Sequence, residues 1–585
     1  GHGHHAASSI IANEAFKAAA DSNQFKEQFA FGVNTWQAKR IIWNTFNFGS
    51  VNTTNANQFS LEVGGYNPLE GKSYGEIGAE ARTMHKSQGE GRPRRRGVSR
   101  EFFETTGGDA PKETLLDGVD ITWNRLGANV ITAQVQQIIS NYKMDNPSAS
   151  VVGLTTLYQK VQQLPNSNWK AYKLNQIQQL IQDCAGIFIE CNANQSQFVR
   201  GDQVKAQLFI NQRSDLSTKI NVVAAPHQIL EPKLNLHYNQ NQTFDLNWQV
   251  DASTPLTQPY WLVKPQKEGM FDVTDYSFIG KAENDPVFTV QVQIEFAGQA
   301  FTFTVPVLYK FVDPTRGDVY QPLAVIPTQT YTLDKELAIV APNTSYNLGY
   351  DRVQNGKVVA HQKTTITNSS EKFLPDSAMY VRKIEYPHIP TLTYFPKPSF
   401  KLVTTEIKTK GKLIGYIDGA GDKIPEAVNA LGYTLDILTE KDLKLEVLKK
   451  YDAIIVGIRA YNMYAFLTEK NEALNQYIEQ GGNLIVQYLK SNTVGVQAVK
   501  VGPYSFSVNA SKRVTQENAD VQFLLPEHIV LKSPNIISQQ DFKNWVQERS
   551  TYQAENIDAH FQTPLSMHDD NEPASNGSLL IAPFG

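Results

Sequence analysis

The chain has 585 residues, too many for one hydrophobic core, so about three to five domains are expected. Its 54 basic and 58 acidic residues leave a formal net charge of -4, which gives no general attraction to nucleic acid or to an anionic membrane. The longest apolar runs, such as YDAIIVGI and CAGIFIEC, fall well short of the roughly 20 residues that span a bilayer, so no membrane span is expected.

The opening, GHGHH, holds three of the eleven histidines, His2, His4 and His5, and runs straight into AASSIIANEAFKAAADS. Residues 6 to 20 are small and apolar with serines near the start, and read as a helix. AKRIIWNTFNF reads as a strand, a Gly/Asn-rich loop follows, and SYGEIGAEARTMHKSQG reads as a second helix that carries His85. Helix, strand, loop and helix in that order suggest the tail of an α/β layer. GRPRRRGVSR then sets five arginines in ten residues. It reads either as a solvated loop or as a cationic rim that draws an anionic substrate toward a nearby site.

From about 129 to 192, ITAQVQQIISNY, LTTLYQKVQQL and LNQIQQLIQDC are Gln-rich with helical spacing and predict a helical connector. Cys184 and Cys191 lie in one short apolar run at its end. If that run is a strand, their odd separation places them on opposite faces, so two free buried thiols are expected in place of a disulfide. Cysteine usage therefore leaves the redox compartment open.

The pattern then changes to period two. VKAQLFI, TFDLNWQV, VFTVQVQIEF and QAFTFTVPV alternate, the last two joined by a short turn at Gly298 that marks a hairpin, and together they predict a β-sandwich. Short strands from about 320 to 400 predict a second one. Trp248, Trp261 and Trp545 are candidates to stack on sugar rings, although aromatic residues in β modules commonly belong to the core.

From about 406, the strands KLIGYIDG, TLDILTE, YDAIIVGI and GNLIVQYL alternate with helical segments, which predicts a parallel sheet with helices on both faces. In DGAGDKI, Gly419 and Gly421 match only the first two glycines of the dinucleotide fingerprint and Ile424 stands at the third, so an ordinary β-to-α turn is expected there. SMHDDNEP gathers His568, Asp569, Asp570 and Glu572, either as a cation site or as an exposed polar loop.

A catalytic zinc site takes three protein ligands and a water. His2, His4 and His5 are too close together to supply all three, so a carboxylate or a distant histidine must contribute. His5 falls in the first turn of the predicted helix, a placement that favours the neutral ring a metal needs. Two other readings of GHGHH are a tag remnant, which would normally be a longer histidine run with a linker, and a metal-free surface segment.

GHGHH resembles the G-H-x-x-H signature of the PIG-L (LmbE-like) family, zinc-dependent de-N-acetylases that act on N-acetylglucosaminyl groups. EARTMHKSQ is similar to that family's later A-x-x-x-H-x-S-Q motif, with His85, Ser87 and Gln88 in the matching places. The run from AFKAAADSNQF through WQAKRIIWNTFNFG, GGYNPLEGKSYGEIGAEARTMHKSQG and FFETTGGDAPK to DGVDITWNR resembles the family's long multidomain form. There, β-sandwich modules and a C-terminal domain of the ThuA, class I amidotransferase-like, flavodoxin-like type follow the deacetylase.

The resemblance spans essentially all 585 residues. It implies a multidomain α/β plus all-β chain: the C-terminal part of a deacetylase domain over 1–128, a helical connector over 129–192, β-sandwich modules over 193–315 and 316–405, and the amidotransferase-like domain over 406–585. It implies that His5 ligates zinc and that His2 polarises the acetyl carbonyl and stabilises the tetrahedral oxyanion. Many relatives have Pro-Asp between these histidines where this chain has Gly3 and His4, so His4 stands in for an orienting aspartate and the tuning of His2 is altered. His85 reads either as a pocket residue or as a structural helix histidine. The family's remaining two ligands and its general base come from an H-P-D-D-E motif, which occurs nowhere in this sequence. The opening reads like mid-domain sequence and GSLLIAPFG breaks off just after an apolar strand, so a chain clipped at both ends is expected, and the resemblance implies that it holds one zinc ligand of three. It would act, when complete, on an acetylated amino sugar or glycoconjugate and be exported to the periplasm or the cell exterior. The amidotransferase nucleophile is excluded from the last domain, because neither cysteine lies beyond residue 191.

Overall fold

The computed structural model describes residues 3–48, 50–85, 91–267, 269–368, 374–386, 389–490 and 500–585. Its first element is the predicted helix α1, Gly3–Ala18. Strands β1 (Arg40–Thr45), β2 (Phe59–Glu62) and β3 (Arg100–Gly108) form an antiparallel sheet in the order β1-β3-β2. No side chain of α1 is buried, and the helix meets this sheet through Phe16 near its end. Gly107 on β3 leaves the room: a Cβ there would stand 3.1 Å from Ile41 Cγ2 and 3.3 Å from the Phe16 ring.

Helix α2 spans Tyr74–Thr83 and starts in a capping box, with the Glu76 amide donating to Ser73 Oγ (3.3 Å) and the Ser73 amide to Glu76 Oε2 (3.0 Å). It ends sooner than the apolar spacing suggests. Thr83 Oγ1 donates to the Ala79 carbonyl (2.7 Å) and accepts from the Arg92 amide (3.2 Å), which fastens the returning chain where the helix stops.

Residues 129–185 form helices α3 (Asn129–Asn141), α4 (Val151–Gln162) and α5 (Asn168–Ala185). On α5, Ile177, Ile181 and Ala185 recur every four residues, a single face, and all three are buried. These helices share one core with the sheet that follows, so they are a layer of that unit, not a detached connector. Gly186 ends α5 with φ 65, the left-handed value that suits glycine, and β4 (Ile187–Ala193) begins directly after it. The apolar run holding the cysteines is thus half helix and half strand, so the condition of a single strand is not met. Cys184 lies on α5 and Cys191 on β4, and both are free.

The alternating segments are β5 (Gln197–Phe198), β6 (Gln203–Gln212), β7 (Thr218–Ala225), β8 (Gln228–Leu230), β9 (Asn241–Gln249), β10 (Thr289–Phe296), β11 (Gln299–Asp313), β12 (Gly317–Pro322) and β13 (Ala324–Val325). The β10–β11 hairpin turns at Ala297 and Gly298, both at positive φ, with Phe296 opposite Gln299. Two separate sandwich layers were expected; the strands instead join in a nine-stranded, nearly closed sheet whose main path runs β8-β7-β10-β11-β4-β6-β9. The physical reason is the length of β11, 15 residues. Its first half pairs antiparallel with β10, and its second half pairs with β4 in parallel and with β12. One strand therefore serves both layers, and period-two alternation fits either outcome. Across the remaining gap, the Asn247 amide on β9 donates to Gln228 Oε1 on β8 (2.8 Å).

The chain divides into two units, Gly1–Thr328 with Val381–Pro396, and Gln329–Tyr380 with Lys397–Gly585. Residues expected together in a second sandwich are shared between them. In the second unit, β14 (Gln329–Leu333), β16 (Tyr346–Gln354) and β17 (Lys357–Ile366) form an antiparallel sheet, while β15 (Leu337–Val340) pairs in parallel with β20 (Lys401–Thr404). Leu333, Ala338, Leu348, Ile366, Phe400 and Leu402 make their core. Strands β18 (Arg382–Ile384) and β19 (Leu392–Tyr394) form a hairpin of the first unit.

The rest of the second unit carries β21 (Leu413–Ile417), α6 (Ile424–Ala430), β22 (Thr434–Ile437), α7 (Leu445–Leu448), β23 (Ala453–Val456), α8 (Ala460–Met463), α9 (Phe466–Glu469), α10 (Asn471–Glu479) and β24 (Leu484–Val486). The four strands pair in parallel in the order β22-β21-β23-β24, as strand-helix alternation predicts. Residues 500–585 add short two-residue strands around Val514, Val521, Leu531 and Met567. No helix among the described residues is long and apolar enough to cross a membrane.

Candidate metal centre

His4 and His5 lie in the first turn of α1, and both are exposed. Ser8 Oγ donates to the His4 carbonyl (2.8 Å), tying the turn to the next. His2 lies outside the described residues, as do Ser87 and Gln88. His85 is exposed and sits past the α2 C-cap Met84, its amide donating to the Arg82 carbonyl (3.1 Å); the expectation that it rides on the helix is corrected. Among the described residues no group of three or more His, Cys, Asp or Glu side chains is placed to hold a metal ion.

The arginine run is largely engaged with α2. Glu80 meets Lys72 (2.7 Å) and Arg94 (3.2 Å), Glu76 meets Arg96 (2.6 Å), and Arg100 Nη1 donates to Ser60 Oγ (2.7 Å). The Ser73 amide first, and then the Ser73 hydroxyl and Arg96, hold the Glu76 carboxyl below its ordinary range. Glu80 is lowered chiefly by Lys72. These contacts favour the reading of a structured polar loop over that of a free cationic rim.

Two other sequence candidates resolve as local structure. At the carboxyl edge of the parallel sheet, a Cβ on Gly419 would stand 2.2 Å from the Ile458 carbonyl, so this glycine serves the close approach of two β-to-α turns. Asp422 accepts from Tyr416 Oη (2.7 Å), Gln487 Nε2 (3.0 Å) and the Ile424 amide (2.8 Å). Burial works against its charge, yet these donors prevail and its pKa is lowered. In the SMHDDNEP loop, Asp569 accepts from the Thr515 and Gln516 amides (both 2.9 Å) and Asp570 from Gln516 Nε2 (3.0 Å), so the acids fasten this loop to the distant 515–516 segment.

Of the three tryptophans, Trp248 is core, 3% exposed, and Trp545 stacks on Phe542 at 5.8 Å. Trp261 is partly exposed and lines a cavity of about 400 Å3 in the first unit, together with Gln258, Glu283, Asp285, Lys383 and Glu385. No residue of α1 lines it. Sequence reasoning named Trp261 but missed the others, since residues near 197, 258, 284, 322 and 393 meet only in the fold.

No protein-family model and no curated protein matches the chain. Among solved structures it is similar to the Pseudomonas fluorescens alkylpurine DNA glycosylase AlkC bound to DNA containing an abasic site analog, at 8% identity over 31% of this chain and 52% of that one, with a TM-score of 0.10. It is also similar to a protein of unknown function from Porphyromonas gingivalis W83, at 12% identity over 36% of this chain and 80% of that one, with a TM-score of 0.14. The chain spans about half the length of the glycosylase it matches. Scores this low carry no argument about fold or function.

Proposed function

We propose that the chain is part of a PIG-L-type, zinc-dependent de-N-acetylase acting on N-acetylglucosamine-type groups. The observation that carries the reading is the histidine signature running without a spacer into α1, a helix whose apolar Ile10 and Ile11 are 60% and 62% exposed. Such a helix has the composition of a buried layer and no layer over it among the described residues. On this reading His5 is one metal ligand, His2 faces the acetyl carbonyl, His4 and His85 border the pocket, and polypeptide beyond residues 1–585 supplies the other ligands and the base. The parallel-stranded region is the flavodoxin-like, amidotransferase-like domain without its nucleophile.

Isothermal titration of the 585-residue chain with zinc is expected to give no tight 1:1 binding, and a chain extended through an upstream H-P-D-D-E segment is expected to bind zinc and release acetate from N-acetylglucosamine derivatives. Tight stoichiometric binding to the 585-residue chain, or an extended chain whose zinc affinity survives His5→Ala, overturns the proposal. The cavity beside Trp261 favours a second reading, a non-catalytic carbohydrate-binding or protein-binding scaffold. Zinc without acetate release in the extended chain would select it.

A further inference from the structure

The cavity of about 400 Å3 in the first unit lies where β13 runs parallel to β5, beside the β18–β19 hairpin. Its walls are fixed by hydrogen bonds between distant segments. Asn284 Oδ1 accepts from the Tyr260 amide (3.0 Å) while its Nδ2 donates to the Gln258 carbonyl (2.8 Å). Gln258 Oε1 accepts from the Phe395 amide (3.2 Å), and Thr257 exchanges two bonds with Val325, one from its amide (2.9 Å) and one to its Oγ1 (3.0 Å). Four lining prolines, Pro259, Pro286, Pro306 and Pro322, restrict the rim further. A cleft held this way loses little freedom when it is filled.

Its chemistry is mixed in a definite sense. Trp261 offers an aromatic surface, and three carboxylates, Glu283, Asp285 and Glu385, line the cavity with a single ammonium, Lys383. Asp285 is partly neutralised by Lys281 (2.8 Å), whereas Glu283 and Glu385 enter no ion pair among the described residues. An aromatic ring suits the apolar C–H face of a pyranose, as it suits other flat partly apolar ligands. Carboxylates accept from hydroxyls and attract a cation. The surplus of acidic groups disfavours an anionic ligand and leaves a neutral sugar with an unanswered charge.

We propose that this cavity binds an amino sugar, a hexosamine unit lying on Trp261 with its protonated amine held by Glu283 and Glu385. The site is separate from the proposed deacetylase centre and requires no metal. Its test is calorimetry on the 585-residue chain without zinc at about pH 6, where carboxylates are ionised and amines protonated. The probes are a β-1,4-linked glucosamine trisaccharide, its N-acetylated form, the corresponding glucose trisaccharide and a lysine tripeptide. The glucosamine trisaccharide is expected to bind tightest. Trp261→Ala is expected to weaken it by about tenfold or more and Trp261→Phe by much less. Glu283→Gln with Glu385→Gln is expected to abolish the preference for amine over hydroxyl.

Equal binding of the glucosamine and glucose trisaccharides overturns the proposal, as does tighter binding of the lysine peptide, which would make the site a peptide site. Undiminished affinity in a Trp261→Ala protein that melts like the parent also overturns it. If Trp261→Ala does not fold, the charge-neutral double variant decides by its selectivity. Acetate release is not read, so a failure here leaves the deacetylase reading standing, and failure of that reading leaves this one.

Discussion

The thiol of Cys191 shows how completely surroundings govern a reactive group. Burial first, and the neighbouring Glu190 carboxylate second, push its pKa from 9.0 up to about 12. The thiolate is the nucleophile, so this side chain is inert in the folded protein near neutral pH. A maleimide or iodoacetamide is expected to label Cys184 before Cys191 in the native chain, and both after denaturation, as peptide mass mapping would show. The linkage has a definite sign. A folded-state value raised above the unfolded one favours the folded state fully below about 9; that contribution declines as pH rises from about 9 to about 12, because the unfolded chain then releases a proton the folded one keeps. Cys191→Ser, which removes that titration, should flatten the alkaline fall in stability followed by denaturant melts, and an unchanged slope would refute the assignment.

Among the elements, α2 depends on its first turn more than on burial. Only Ala79 of the helix is buried. Ser73 therefore carries unusual weight, capping the Glu76 amide while its own Oγ donates to the Arg95 carbonyl (3.0 Å). Ser73→Ala is expected to cost about 1 kcal/mol and to raise amide exchange over residues 74–83 and 94–96 together. Exchange confined to the helix would mean the arginine segment is held by other contacts. The regular elements were largely legible beforehand. Alternation located β6, β9, β10 and β11, and the short apolar strands of the parallel sheet were found because helical spacing lies between them. Signals failed where two elements share one apolar run, as at Cys184 to Cys191, or where a side-chain bond ends a helix before its pattern does, as at Thr83. The histidines of α1 could be named from their spacing. Glu283, Lys383 and Glu385 could not, since no local pattern records that residues about a hundred apart in sequence border one cavity.

At the scale of the whole molecule, the division into units is interleaved. The first unit takes back residues 381–396 after the chain has already built β14 to β17 of the second. A chain ending at Thr328 is expected to fold its nine-stranded sheet yet to show faster amide exchange at residues 257–261 and 321–325, because the Phe395 amide no longer reaches Gln258. Protection there equal to that of the parent would show that the hairpin does not support the cavity wall.

The interleaving also sets an order of events during synthesis. A ribosome releases the helices and the nearly closed sheet first, and these can settle while translation continues. The cavity lacks part of its lining until residue 396 has emerged, by which time β15 of the second unit is waiting unpaired for a strand still to come. A nascent chain stalled before that point would carry Trp261 without the lining residues of the 381–396 segment, so the cavity would be completed only after much of the polypeptide has already folded.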